Sequence, residues 1–551
     1  MKFKNILSIA LSAAMLCTTL AGCQQQSNNT EPSVTPLSLM EEINTKNVID
    51  GSGDMRVWYQ INPNLFTRSA DEPGTLNIVS DYLEYLSDGN TKTIEDDLNL
   101  SGVLLTNLIY TDESSTTKEF SQINPALGSD EDLAAFCEKS NNLGMPVMIS
   151  IDVTSISTEN SQFLALQDLI NNLQDGEDPF VKDPVLMGEF YVEKDKNEEN
   201  WIQIGSSPYY YLALPQSSIP RINLDSHVWK QFLISAIEHY FSLGVSGFCV
   251  TDYNNLYVND DQKDADFMKW FDTICKERKP DCINVFQYSS WNDPMGEIPA
   301  YAADSASAGA EGMIAKAVTG AITAKDLGNY FESNTNKTQN MTAYFLNNDD
   351  GSLDLLKSDN RIAQYKMAMA LELMLNGQVF VTAGDELGLT SDQADLIVDA
   401  IASAPAAAED YSASGDLTGA EMTGQEGTPA AEVNLEFGNL AQQKEDGSSI
   451  LNFVMQAIAL RDSYRSITEA PTTVSQELST DTVLVIDRKS ETSETVLVFN
   501  LSDSSQSVDL SAMQISGLPA ELGGVLLTGT QDVVVEGQTL TLPAYSMALL
   551  K

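Results

Sequence analysis

The sequence predicts an α/β chain: a (β/α)8 TIM barrel, interrupted after its third strand and followed by a C-terminal antiparallel β-sandwich. Three observations carry that expectation. Short apolar runs alternate with longer amphipathic segments through the middle of the 551 residues, the pattern of strand and helix units around a parallel sheet. The interval 158–218 breaks this rhythm with many aromatic and polar residues and poor helical periodicity. From about residue 472 the chain turns to short alternating strands separated by turn residues.

In chain order, Lys2 and Lys4 precede an apolar run that ends in Leu20-Ala21-Gly22-Cys23. Residues 1–22 therefore read as a bacterial lipoprotein signal, with Cys23 the acylated first residue of a mature chain tethered to the extracytoplasmic face of the membrane. Residues 23–53 are polar and poorly patterned, as a linker would be. The barrel is expected over 54–465. Its strands begin with 57–61, 102–107 and 147–151, continue with 247–250 and 283–286, and close with 342–346 and 378–381. Helices are expected over 130–143 and 232–243. An Ala-, Gly-, Ser- and acid-rich excursion at 398–436 reads as partly disordered. A helix over 450–461 then leads to an independently folding sandwich at 470–551, with strands at 482–486, 495–499, 538–542 and 548–550.

The net charge of −49, from 79 acidic and 30 basic residues, argues against nucleic acid or anionic headgroups as direct ligands. Acidic residues could hold calcium, but no Asp-x-[Asp/Asn]-x-[Asp/Asn]-Gly loop with a closing glutamate is present. No other cofactor is implied. Cys137, Cys249, Cys275 and Cys282 lack zinc-like clustering; Cys275 and Cys282 either form a disulfide or are two of four buried thiols.

The segment Leu243-Gly244-Val245-Ser246-Gly247-Phe248-Cys249-Val250-Thr251 resembles the Leu-Gly-Val-Asp-Gly-Phe-Arg-x-Asp signature of the alpha-amylase superfamily, glycoside hydrolase family 13. Trp58 through Pro63, Gly102 through Tyr110, Pro220 through Leu224 and Gly384-Asp385-Glu386-Leu387-Gly388 resemble further family segments in the family's order. The resemblance implies that 158–218 is the family's small inserted domain. It also implies retaining glycoside cleavage, with one carboxylate attacking the sugar and another donating a proton to the departing oxygen.

At the matching positions that chemistry is largely missing. Thr251 stands at the nucleophile, Cys249 at the arginine that orients it, and Gln287 at the acid/base. Glutamine can donate a hydrogen bond but cannot release and recover a proton. Phe345-Leu346-Asn347-Asn348-Asp349-Asp350 resembles Phe-Leu-x-Asn-His-Asp, so Asp350 keeps the third carboxylate and Asn348 its neighbour, while Asp349 replaces a substrate-gripping histidine. The third-strand Asp-x-Val-x-Asn-His is matched either through Ser150 or through Asp152, and both alignments lose the histidine. Only His227 and His239 exist in the chain, both at the helix before the Thr251 strand. Tyr59 is a further expected pocket residue. Phe286, in place of a glycine, is expected to crowd the pocket.

The sequence therefore points to an amylase-like, membrane-anchored protein without the ancestral catalytic groups. It would bind an alpha-glucan or other oligosaccharide, through aromatics such as Trp58, Tyr59, Trp201 and Tyr209-Tyr210-Tyr211, or assemble with a surface or membrane protein. The competing expectation is a retaining alpha-glycoside hydrolase with displaced carboxylates, Asp252 or Glu297 beside Asp350.

Overall fold

A computed structural model describes residues 56–551 apart from 69–72, 90–96, 252–255, 258–259, 289–300, 305–311, 348–360, 402–434 and the single positions 114, 340, 492, 512 and 516. Eight parallel strands close into a barrel: β1 (Val57–Ile61), β2 (Gly102–Leu105), β3 (Val147–Asp152), β4 (Gly247–Thr251), β5 (Val285–Tyr288), β6 (Tyr301–Asp304), β7 (Thr342–Phe345) and β8 (Gln378–Thr382). β1 pairs with β8 from Val57↔Val379 to Gln60↔Thr382, which completes the ring.

Because side chains alternate along a strand, each barrel strand serves two cores. Trp58, Leu104, Met148, Cys249, Val285, Phe345 and Phe380 pack together inside the barrel. Their chain neighbours Val57, Tyr59, Val103, Ile149, Phe248, Val250, Phe286 and Val381 belong instead to the layer between barrel and helices. Trp58, Phe380 and Phe345 form an aromatic stack, with centroids 6.0 Å and 4.2 Å apart. Gly102 makes room for that stack: a Cβ there would lie 2.4 Å from Cε3 of Trp58. Gly247 has a comparable role, since its Cβ would lie 1.8 Å from the carbonyl oxygen of Ile283.

The helix Asp130–Asn142 starts at a reciprocal cap between Ser129 and Asp132. The helix leading to β4 is longer than the periodicity predicts, His227–Ser242, because Ser226 caps it six residues upstream of Phe232. β6 was not anticipated from the sequence, and β5 lies two residues further along than expected.

Between β3 and β4, the region read as poorly helical contains the helix Ser161–Asn171, two short proline-initiated helices, Pro179–Lys182 and Pro184–Met187, and a three-stranded antiparallel sheet. The sheet places Tyr209–Leu212 between Val192–Lys194 and Trp201–Gln203. Phe163 holds helix to sheet through edge contacts with Tyr211 at 4.8 Å and Phe190 at 5.5 Å.

The C-terminal region contains a five-stranded antiparallel sheet built around Val483–Lys489, Glu494–Asn500 and Ser546–Leu550, and a three-stranded sheet of Gln506–Asp509, Thr539–Leu542 and Val534–Glu536. It does not pack as an independent body. The buried guanidinium of Arg488, on the large sheet, donates to the Met374 carbonyl at 2.9 Å and to Asn376 Oδ1 at 3.1 Å, in the turn before β8. Arg461, on the helix Ile450–Ser463, donates to the carbonyls of Leu373, Leu375 and Gly377 in the same stretch. Two buried cations therefore tie the last barrel turn to the closing helix and the sandwich.

Cys137, Cys275 and Cys282 are buried free thiols, so the Cys275–Cys282 disulfide does not form. Burial pushes the Cys137 thiol up to about 12. Among the described residues no helix is long and apolar enough to cross a membrane, and no cluster of three metal-ligating side chains occurs. Cys23 and most of the 398–436 excursion lie outside the described residues.

Candidate functional site

The carboxyl ends of the barrel strands form the mouth where this architecture collects functional groups. Strand register decides which side chains reach it. β3 and β4 pair Ser150 with Cys249 and Asp152 with Thr251. β4 and β5 pair Cys249 with Val285 and Val250 with Phe286; Thr251 and Gln287 each follow two residues after the first of these pairs. Cys249 and Val285 face inward, so Thr251 and Gln287 do as well. Both are half-buried, at the rim rather than in the packed floor. The two positions the sequence singled out as former nucleophile and acid/base are thus uncharged and on the inward face of neighbouring strands.

Cys249 shares their face but lies one layer deeper, 1 % exposed among Met148, Val285 and the other floor residues. It holds no positive charge toward Thr251. Asp152 is level with Thr251, so of the two third-strand alignments the one through Asp152 places a carboxylate at the mouth. Its oxygens are engaged by the loop that follows: Oδ1 accepts from Thr154 N at 2.7 Å and Thr154 Oγ1 at 2.6 Å, and Oδ2 accepts from Ser155 Oγ at 3.1 Å. Ser157, aligned with the lost histidine, donates its hydroxyl to Asp112. His239 lies on the outer helix, 3.3 Å from Asp130, away from the mouth.

Three expectations are corrected by strand parity. Tyr59 is not a pocket residue: it points out of the barrel, completely buried, while Trp58 and Gln60 take the inward positions. Trp58 is sealed in the barrel floor and cannot stack on a sugar. Phe286 does not fill the pocket; it faces the helix Asp261–Arg278 and meets Phe271 edge-on at 5.9 Å. Of the other aromatics, Tyr209 and Tyr211 pack inside the inserted domain, and Trp201 and Tyr210 are half-buried on the opposite face of its sheet. Asp252, Glu297, Asn348, Asp349 and Asp350 lie outside the described residues.

Behind the mouth is a group of buried carboxyls whose function the sequence did not disclose. Tyr59 and Tyr85 each donate a hydroxyl to Glu386 Oε1 at 2.8 Å, and Gly384 N donates to Oε2 at 3.1 Å. Neighbouring Asp385 accepts from Asn347 Nδ2 at 2.6 Å and from Thr382 N at 3.1 Å. Burial, and then the charge of Glu386, push the Asp385 carboxyl up to about 8, with the bonds from Asn347 and Thr382 acting against the rise. Burial likewise raises Glu386, opposed by its two tyrosines. Both groups are almost inaccessible, so they brace the site rather than meet a ligand. Asp385 anchors Asn347, the residue from which the chain departs toward Asn348, Asp349 and Asp350.

Comparison with known proteins agrees with this fold. The family described as alpha amylase, catalytic domain, matches residues 60–470. A solved structure of Eubacterium rectale Amy13B superposes with a TM-score of 0.78 at 23% identity, over 94% of this chain and 99% of that one. The alpha-amylase from H. orenii gives 0.68 at 18% identity, over 90% and 99%. Trehalose-6-phosphate hydrolase from Bacillus licheniformis gives 0.66 at 15% identity, over 90% and 98%. No curated protein sequence matches the chain.

Proposed function

This chain belongs to the alpha-amylase family, and from that membership we propose that it binds alpha-linked glucans at the mouth of its barrel without hydrolysing them, held at the extracytoplasmic face of a membrane by lipid on Cys23. The reading is supported by Thr251 and Gln287, two uncharged residues that follow the inward Cys249 and Val285 by two positions on neighbouring strands. A retaining hydrolase needs two carboxyl groups about 5–5.5 Å apart across the glycosidic bond. A hydroxyl and an amide at those positions can exchange hydrogen bonds with sugar hydroxyls, but they supply neither a glycosyl acceptor of carboxylate type nor a transferable proton. Cys249 supplies no positive charge to orient an attacking group. The lipid anchor is supported by Leu20-Ala21-Gly22-Cys23.

A second reading is retaining hydrolysis of alpha-glucans by displaced carboxylates. It draws on the match to a catalytic domain and on Asp152, a carboxylate level with Thr251. Against it, both Asp152 oxygens already accept hydrogen bonds from Thr154 and Ser155.

Isothermal titration of residues 24–551 with maltoheptaose tests the binding reading. Binding is expected, and Gln287→Ala should weaken the barrel event by about tenfold, the equivalent of one hydrogen bond of roughly 1.4 kcal/mol. A Gln287→Ala protein that binds as the wild type does would remove the mouth from the account.

A further inference from the structure

The inserted domain contains a depression well separated in sequence from the strand ends, between the end of the helix Ser161–Asn171 and the sheet strands Val192–Lys194 and Tyr209–Leu212. Its volume of about 830 Å3 lies within the roughly 300–1,000 Å3 of small-ligand sites. Asn171, Asp175, Phe180, Lys194, Ser206 and Tyr209 are among the residues that line it. We propose that this depression is a second carbohydrate site, one that takes a neutral oligosaccharide. The ligand class rests on the glucan reading of the barrel mouth; the site itself does not.

The chemistry of the lining selects among ligands. Phe180 is 43% exposed, a large ring left in water at the pocket edge and tilted against Tyr209 with centroids 6.4 Å apart. It is held there by a rigid support: Pro179 starts its short helix, and Asp178 caps it by accepting from Phe180 N at 3.0 Å. An exposed ring offers an apolar face to the C–H side of a pyranose.

Around it, Asn171 and the Tyr209 hydroxyl offer donors and acceptors that have no hydrogen-bond partner among the described residues. Other lining groups are already committed. Glu177 pairs with Lys182 at 2.6 Å, and Ser207 Oγ donates to the Ile204 carbonyl at 2.7 Å. Gly205 makes space for Asn171, since a Cβ there would lie 2.2 Å from Asn171 Oδ1.

Asp175, Glu177 and Asp178 outnumber Lys194 in the lining, so an anionic sugar or phosphate would meet net repulsion. A purely apolar ligand would strand the polar groups. A neutral polyol with one apolar face satisfies both conditions.

The test is isothermal titration of residues 24–551 with maltoheptaose, comparing the wild type with Phe180→Ala, Asn171→Ala, Phe180→Trp and the barrel-mouth variant Gln287→Ala, each checked for an unchanged thermal melt. The wild type is expected to show two binding events. Phe180→Ala and Asn171→Ala should each weaken one of them about tenfold or more and leave the other alone. Phe180→Trp should retain it, and Gln287→Ala should affect only the other event. A single event that Gln287→Ala weakens and the pocket variants do not would overturn this site while sparing the barrel reading. A single event sensitive only to the pocket variants would support this site and overturn the barrel reading. Absence of binding by the wild type would overturn both.

Discussion

Replacing Asp385 with asparagine should stabilise the protein in alkaline solution and lose that advantage in acid. The carboxyl titrates near 8 in the folded chain against 3.8 in the unfolded one, chiefly because it is buried and secondarily because Glu386 is beside it. A raised carboxyl pKa means that the folded state keeps a proton the unfolded state has released. Its contribution is fully present below pH 3.8 and is lost as pH rises to 8, with a slope of about 1.4 kcal/mol per pH unit and a ceiling of roughly 6 kcal/mol.

Asparagine is neutral throughout and nearly isosteric. Its oxygen can still accept from Thr382 N, and its amide nitrogen can face Asn347 if that side chain turns its Oδ1, which has no partner among the described residues, toward it. Allowing about 2–3 kcal/mol for the weakened charge-assisted bonds leaves a net gain of about 3 kcal/mol at pH 9. Urea unfolding of wild type and Asp385→Asn at pH 5, 7 and 9 reads this residue together with its coupling to Glu386 and Glu372, because the acidic groups that do not interact with it cancel in the difference. A difference that stays constant with pH, or that favours the wild type more strongly at pH 9 than at pH 5, would refute the reasoning.

Gly102→Ala drives a methyl into the indole of Trp58, with three ring carbons inside 3 Å, and should cost about 1–3 kcal/mol while shifting tryptophan fluorescence; an unchanged melting temperature would contradict the described barrel floor. Arg461→Met removes the donor to the carbonyls of Leu373, Leu375 and Gly377 and should destabilise by about 3–5 kcal/mol in urea unfolding, more than an exposed-arginine control such as Arg68→Met; equal losses would show that the buried guanidinium does not clamp the last barrel turn.

Most barrel strands were legible because β-branched and aromatic runs mark them, and the strand at Gly247–Thr251 carried the site with it. β6 was not, because Tyr301-Ala302-Ala303-Asp304 is short and alanine-rich, with little intrinsic strand preference. The errors at Tyr59 and Phe286 had a local remedy. Once Gln287 is inward, alternation sends Phe286 outward, and the same parity separates Tyr59 from Trp58 and Gln60. The bracing of Glu386 by Tyr59 and Tyr85 was beyond reach, since its partners are 327 and 301 residues away along the chain. The helix Ser161–Asn171 was obscured by the polar residues of its exposed face, although Asn160 is an ordinary cap. The pocket at Phe180 arises only when that helix meets the sheet.

The proposed loss of hydrolysis rests on Thr251 and Gln287 standing at the positions that resemble the family's nucleophile and acid/base. The most direct measurement is product formation by purified residues 24–551 after prolonged incubation with a panel of alpha-linked gluco-oligosaccharides, beside Asp152→Asn and Asp350→Asn proteins. No oligosaccharide cleavage by any of the three is predicted; cleavage by the wild type that disappears in either variant would contradict the claim and assign hydrolysis to a displaced carboxylate.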